Sequence, residues 1–240
     1  MRRAAIERGY HALILEGPGQ GVFERQIPFR PDWEKVVTPV VDFLVARPDV
    51  DARRVGIIGW SMGGGLVARA AAFEPRLAAV CCDPGAADSW ASFPAALRAI
   101  GEAGGRDEVN HLWRTQIVAD LGPVEKFTLM KRTEIFGKRF QDAARAGRVT
   151  DDFHDLAQTV KRFRYTDTLS RITAPVLVTD YEHEQMNPPG TGQRVYDLLR
   201  SPGTLAKLTA ADGAGSHDAP VAPQHRNEAI FDWLDGTLGV

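Results

Sequence analysis

Arg54-Val55-Gly56-Ile57-Ile58-Gly59-Trp60-Ser61-Met62-Gly63-Gly64 is the stretch on which the fold turns. It opens as an apolar run of strand length, predicted to be buried. It ends in residues 62–73, a segment rich in Gly and Ala and suited to a helix packed closely on a sheet. Between the two, Gly59-Trp60-Ser61-Met62-Gly63 matches G-x-S-x-G. A serine on a sharp strand-to-helix turn points its hydroxyl out of the sheet, and side chains at Gly59 or Gly63 are expected to collide with neighbouring backbone. The Met62 amide, at the helix N-terminus, is then placed to donate to an oxyanion.

Upstream of this stretch, residues 4–8 read as the end of a helix with Gly9 as its C-cap. His11-Ala12-Leu13-Ile14-Leu15 reads as a strand entering the tight loop Glu16-Gly17-Pro18-Gly19-Gln20-Gly21. Pro31-Asp32 opens a helix with Val36, Val37, Val40, Phe43 and Leu44 on one face and Pro39 as an irregularity. Downstream, strands are predicted at 77–82 (closed by Asp83-Pro84-Gly85), 175–179 and 205–208. A terminal helix over 222–238 carries Ile230, Phe231, Trp233 and Leu234. This alternation predicts an α/β fold, a mostly parallel sheet with helices on both faces. Residues 88–172 break the rhythm: they have helical periodicity, the aromatics Trp90, Phe93, Trp113, Phe127, Phe136, Phe153 and Phe163, and no convincing strand. The expected organisation is therefore a core of residues 1–87 and 173–240 with a helical cap insertion at 88–172.

A serine hydroxyl is a weak nucleophile at neutral pH and needs a base. Of six histidines, His217 lies in Gly213-Ala214-Gly215-Ser216-His217-Asp218, after the last candidate strand and before the last helix. That is the place for a base in a chain of this order. His225, inside the final helix, is the second choice. His111 and His154 fall in the insertion and read as exposed or structural, and His11 and His183 have no convincing catalytic role. The base needs a carboxylate to hold its tautomer and stabilise the imidazolium. The loop Asp180-Tyr181-Glu182-His183-Glu184-Gln185-Met186-Asn187-Pro188-Pro189 offers three. The pattern usual in proteins that this serine motif resembles, strand, short turn, acid, then a Pro about four residues on and a helix, puts Glu184 in the acid position. Glu182 and then Asp180 are the alternatives, and Asp83, at the end of the preceding strand, is a further one.

Composition bounds the rest. Lys and Arg total 29 against 31 Asp and Glu, a net charge of −2 that gives no reason to expect nucleic acid or an anionic membrane as partner. The locally basic stretch 131–145 is interleaved with Glu134 and Asp142 and reads as a solvated helix face. Cys81 and Cys82 are neighbours in an apolar run and point to opposite strand faces, which argues against a disulfide or a metal site and for reduced, cytoplasmic thiols. Met1-Arg2-Arg3 is followed by no apolar h-region, and no run reaches transmembrane length.

On these residues the chain resembles the α/β-hydrolase superfamily. Gly17-Pro18-Gly19-Gln20-Gly21, Gly59-Trp60-Ser61-Met62-Gly63-Gly64, Glu182-His183-Glu184-Gln185 and Phe231-Asp232-Trp233-Leu234 resemble one branch of it. That branch holds FrsA-like esterases, dihydroxypseudooxynicotine hydrolase and fungal pigment-pathway hydrolases that shorten polyketide chains. The serine motif is shared by the whole superfamily, whereas the first and third segments are more specific to the branch. The resemblance implies a helical cap over the active site, hydrolysis of esters or of C–C bonds next to a ketone in a small-molecule substrate, and no cofactor. It also implies several strands before the helix ending near Arg8, and a second oxyanion donor from the loop preceding that helix. This sequence carries neither, so a fold incomplete at its N-terminus is expected, with a central strand left unpaired along one edge. A fragment, a start codon placed too late, or a reduced hydrolase that covers the edge as a homodimer would each account for it. Two other functions compete: a binding or scaffold module that kept the fold without turnover, and a serine peptidase.

Overall fold

The computed structural model describes residues 1–24 and 26–240. Strands β1 (Gly56–Trp60), β2 (Ala79–Asp83), β3 (Val176–Tyr181) and β4 (Gly203–Leu208) form one parallel sheet in the order β1-β2-β3-β4. Ile58 pairs with Cys81 and Cys81 with Leu177, while Gly59, Cys82 and Val178 line up one residue on. Because side chains alternate along a strand, this register separates two faces. Ala79, Cys81 and Leu177 pack with Ile230, Phe231 and Leu234 of helix α10 (Pro223–Leu238) and with Ala5 of α1 (Arg2–Glu7). On the other face helix α3 (Met62–Ala71) runs against β1 and β2, and α9 (Thr191–Leu198) against β3 and β4.

Every residue of β2 is buried, which is why Ala79-Val80-Cys81-Cys82 is continuously apolar instead of alternating. Cys81 and Cys82 are free and buried, and burial pushes the Cys82 thiol up to about 12. They are packing groups, not nucleophiles.

β1 departs from its expected burial. It lies at one end of the sheet, and Trp60 is 55% exposed. The strand expected at residues 11–15 makes no ladder among the described residues, and Leu13, Ile14 and Leu15 are exposed. Apolar side chains give a segment strand propensity, but a strand exists only where a neighbour takes its backbone hydrogen bonds. Helix α2 (Glu34–Val45) forms where expected with a rotated buried stripe: Trp33, Val37 and Val41 are buried, while Phe43 is exposed and Pro39 falls on the outer side. Glu34 then pairs bidentately with Arg69 of α3, both bonds at 2.9 Å.

Contacts divide the chain into two compact units. The first, Met1–Ile14, Asp32–Asp88 and Arg164–Val240, holds the sheet. The second, Leu15–Pro31 and Ser89–Phe163, contains α4 (Ala95–Ile100), α5 (Arg106–Leu112), α6 (Pro123–Thr133), α7 (Lys138–Arg145) and α8 (Phe153–Lys161). Its interior is aromatic: Phe153 stacks on Trp113 at 4.4 Å, and Phe29 stacks on Phe163 at 4.6 Å. The Phe29 stack explains why Leu15–Pro31, counted with the core from sequence, packs with the helices instead. Among the described residues no helix is long and apolar enough to cross a membrane.

Candidate active site

Ser61 sits between β1 and α3 with φ 55° and ψ −124°, a conformation that costs a non-glycine residue energy and is kept only where the surroundings enforce it. Two constraints enforce it here. The Ser61 amide donates to the Asp83 carbonyl at 2.6 Å, and the Gly64 amide donates back to the Ser61 carbonyl at 2.9 Å. The turn is tight enough that a Cβ on Gly59 would lie 2.0 Å from the Gly63 carbonyl oxygen. At Gly63 itself a Cβ would meet open space, so the expected collision there does not occur. Gly64 and Gly65 are crowded as well: a Cβ there would lie 2.0 Å from the Pro84 and 2.2 Å from the Ala86 carbonyl oxygen. Gly59→Ala is therefore expected to lower the unfolding free energy, read from denaturant titration, by at least the roughly 1–3 kcal/mol typical of overpacking, while Gly63→Ala changes it far less. The Met62 amide opens α3, within the first turn whose amides have no intrahelical acceptor.

The Ser61 hydroxyl lies 2.8 Å from His217 Nε2. On the other side of the ring, His217 Nδ1 lies 2.9 and 2.8 Å from the two carboxylate oxygens of Glu184. Glu184 Oε1 also accepts from the amides of Met186 and Asn187, at 2.6 and 3.0 Å. Burial opposes the charge on Glu184, but the bonds from His217 and Met186 outweigh it and hold its carboxyl below the ordinary value. Burial likewise opposes protonation of His217, but hydrogen bonds to Asp218 and Glu184 prevail and push it up to about 9.

The whole segment Glu182-His183-Glu184-Gln185 is spent on holding the histidine loop. Glu182 Oε2 accepts from the Ala210 amide at 2.7 Å, and the His183 amide donates to the Gly215 carbonyl at 2.7 Å. Gln185 accepts from the His217 amide at 3.2 Å and donates to Ser216 Oγ at 3.3 Å. The other carboxylates considered above lie elsewhere. Asp180 accepts from the Gly192 amide at the start of α9, and Glu182 is taken by Ala210. Asp83 is fully buried and accepts from Thr179 Oγ1 at 2.7 Å and Tyr181 Oη at 2.5 Å. Burial raises its pKa, against the pull of those two hydroxyls. His225 is half-exposed beside Glu228, 4.0 Å away, and His183 is exposed beside Glu182.

Two residues at this site escaped the sequence reading. Asp218 Oδ2 stands 3.2 Å from His217 Nε2, on the same side of the ring as Ser61. Arg226, on α10, is 2% exposed; its Nε lies 3.6 Å from Asp83 Oδ2, and its Nη1 donates to the Asp218 carbonyl at 2.7 Å. Its guanidinium also lies over the Trp60 ring, 4.7 Å from the centroid. One buried cation thus joins the residue before Ser61, the residue after His217 and the residue whose carbonyl holds the Ser61 amide. The signal for it was in the sequence: Arg226 shares the i, i+4, i+8 stripe of Ile230 and Leu234.

Such an arrangement can pass a proton from Ser61 to His217 while Glu184 balances the charge. Residues 1–233 match the profile of the alpha/beta hydrolase family. The chain is 32% identical to the alpha/beta hydrolase psoB of Aspergillus fumigatus, over 97% of its own length and 54% of that protein's. Among solved structures, 2,6-dihydroxy-pseudo-oxynicotine hydrolase superposes with a TM-score of 0.64 at 19% identity, over 99% of this chain and 55% of that one. The alpha/beta hydrolase GrgF from a Penicillium species superposes with a TM-score of 0.66 at 15% identity, over 98% and 82%. The chain thus spans about half the length of psoB.

Proposed function

The chain belongs to the alpha/beta hydrolase family, and on that premise we propose that it is the catalytic portion of a serine hydrolase. Ser61 attacks a carbonyl carbon, His217 takes its proton and returns it to the leaving group, and Glu184 orients the ring and balances the imidazolium. The Met62 amide donates to the oxyanion. The observation that carries this reading is the unbroken chain of contacts from Ser61 Oγ through His217 to Glu184, at 2.8 Å and 2.8 Å. The substrate class we propose is a small to medium-sized ester, or a ketone cleaved at the adjacent C–C bond, since each offers an activated serine an electrophilic carbonyl carbon.

Labelling with a fluorophosphonate tests it. The full 240-residue chain is expected to label at one site, and Ser61→Ala to abolish labelling without changing the circular dichroism. A folded protein that takes no label at any pH would favour a binding module that retains the fold without turnover.

A further inference from the structure

His217 has a carboxylate at each end of its ring. Glu184 occupies the Nδ1 side. On the Nε2 side two oxygens compete for one nitrogen: Ser61 Oγ at 2.8 Å and Asp218 Oδ2 at 3.2 Å. Nε2 carries at most one hydrogen. In the neutral ring whose Nδ1–H donates to Glu184, Nε2 is a lone pair that accepts from the Ser61 hydroxyl. The Asp218 carboxylate then faces that lone pair with no proton between them. In the imidazolium, Nε2–H has both Ser61 Oγ and Asp218 Oδ2 within reach. Asp218 therefore favours the charged ring, the form that cannot accept a proton from Ser61.

The fold holds Asp218 there. Asp218 and Ala219 both have left-handed backbone, φ 62° and 43°, uncommon for residues other than glycine. Arg226 anchors the Asp218 carbonyl at 2.7 Å, and the Ala219 amide donates to the Ser216 carbonyl at 2.8 Å. Asp218 Oδ1 is buried with no hydrogen-bond partner.

We propose that Asp218 is a positioning residue that competes with Ser61 for His217 Nε2 and sets the pH above which His217 can act as base. The proposal rests on the reading of Ser61, His217 and Glu184 as a working relay. The charged and titratable groups around His217 in its unit are Glu184 from the loop after β3, Tyr181 on β3 with ring centroids 6.3 Å apart, and Asp218 itself. Arg226 of α10 also lies close, but it faces Asp83 of β2. The two carboxylates in direct contact dominate, consistent with a ring held protonated up to about pH 9. The sign follows: below the ring's midpoint the charged form predominates, and each further unit leaves roughly tenfold less of the neutral ring that can take the proton from Ser61.

The test compares the full chain with Asp218→Asn, which tolerates a left-handed backbone and keeps the shape while removing the charge. The His217 ring is titrated by NMR of nitrogen-15-labelled histidine, assigned with His217→Gln. In parallel, the fluorophosphonate labelling rate is followed from pH 6 to 10. The expected result is a midpoint at least one unit lower in Asp218→Asn, with the labelling limb displaced equally and labelling at pH 7 at least roughly tenfold faster. An unmoved ring midpoint overturns the proposal. A purely structural Asp218 would change labelling at every pH alike and leave the midpoint in place, which also overturns it. If neither protein labels, the relay reading fails, while the NMR midpoints still decide whether Asp218 holds the proton. Should Asp218→Asn not fold, Asp218→Gly, which suits φ 62° and carries no carboxylate, takes the same measurements.

Discussion

His217→Ala is expected to lower kcat toward a p-nitrophenyl ester by about six orders of magnitude, and Ser61→Ala by about as much. The two losses do not add: the double variant is no slower than either single one, because a serine without its base and a base without its serine are both idle. Glu184→Gln separates the third role. It preserves the shape beside Nδ1 but removes the charge that balances the imidazolium and fixes the tautomer, at a cost of about 10⁴ in kcat. Since Glu184 also accepts from two loop amides, KM is expected to stay close to that of the parent. A double variant that falls by the product of the single effects would mean that Ser61 and His217 act separately, against the relay.

The second large effect concerns stability. Arg226→Met leaves the Asp83 carboxylate buried without its counter-ion, and losing one partner of a buried pair costs about 3–5 kcal/mol. For a domain of this size that corresponds to a fall in Tm of about 6–20 °C. Arg226 Nε and Asp83 Oδ2 face each other at 3.6 Å, with no hydrogen bond to either atom among the described residues, so the pair is held by charge more than by hydrogen-bond geometry. Removing both charges is therefore expected to be milder: Arg226→Met with Asp83→Asn should recover more than half of the lost Tm. Scanning calorimetry of the four proteins decides it, and an Arg226→Met variant as stable as the parent would show that the buried cation contributes nothing. Because Arg226 also binds the Asp218 carbonyl and covers Trp60, the same variant is expected to slow labelling of Ser61 under conditions where it remains folded.

The sequence by itself determined the elements and their order. The strand before Ser61, the small-residue helix after it and the strands near 79, 176 and 203 are legible because backbone pairing and burial act on local patterns. It also determined which loops meet. In a parallel sheet with strands in this order, the loops after β1, β3 and β4 all leave from the same end, so Ser61, His217 and the loop that holds the candidate acids could be picked out from their place in the order. Choosing Glu184 over Glu182 and Asp180 required one further regularity, the spacing from strand to Pro.

Tertiary structure decided what depends on neighbours distant in sequence. The segment at 11–15 has the composition of a strand but no ladder, since pairing is a property of two segments and not of one. The exposure of Trp60 follows from where β1 lies in the sheet. Gly59 and Gly63 look equivalent in the motif, yet only Gly59 is crowded, because the turn folds the Gly63 carbonyl back over it. Asp218 was visible as a residue but not as a competitor for Nε2; two left-handed residues and an arginine from the last helix place it there. A local pattern records what a residue does to its own backbone, whereas the charge that a side chain meets is set by the elements packed around it.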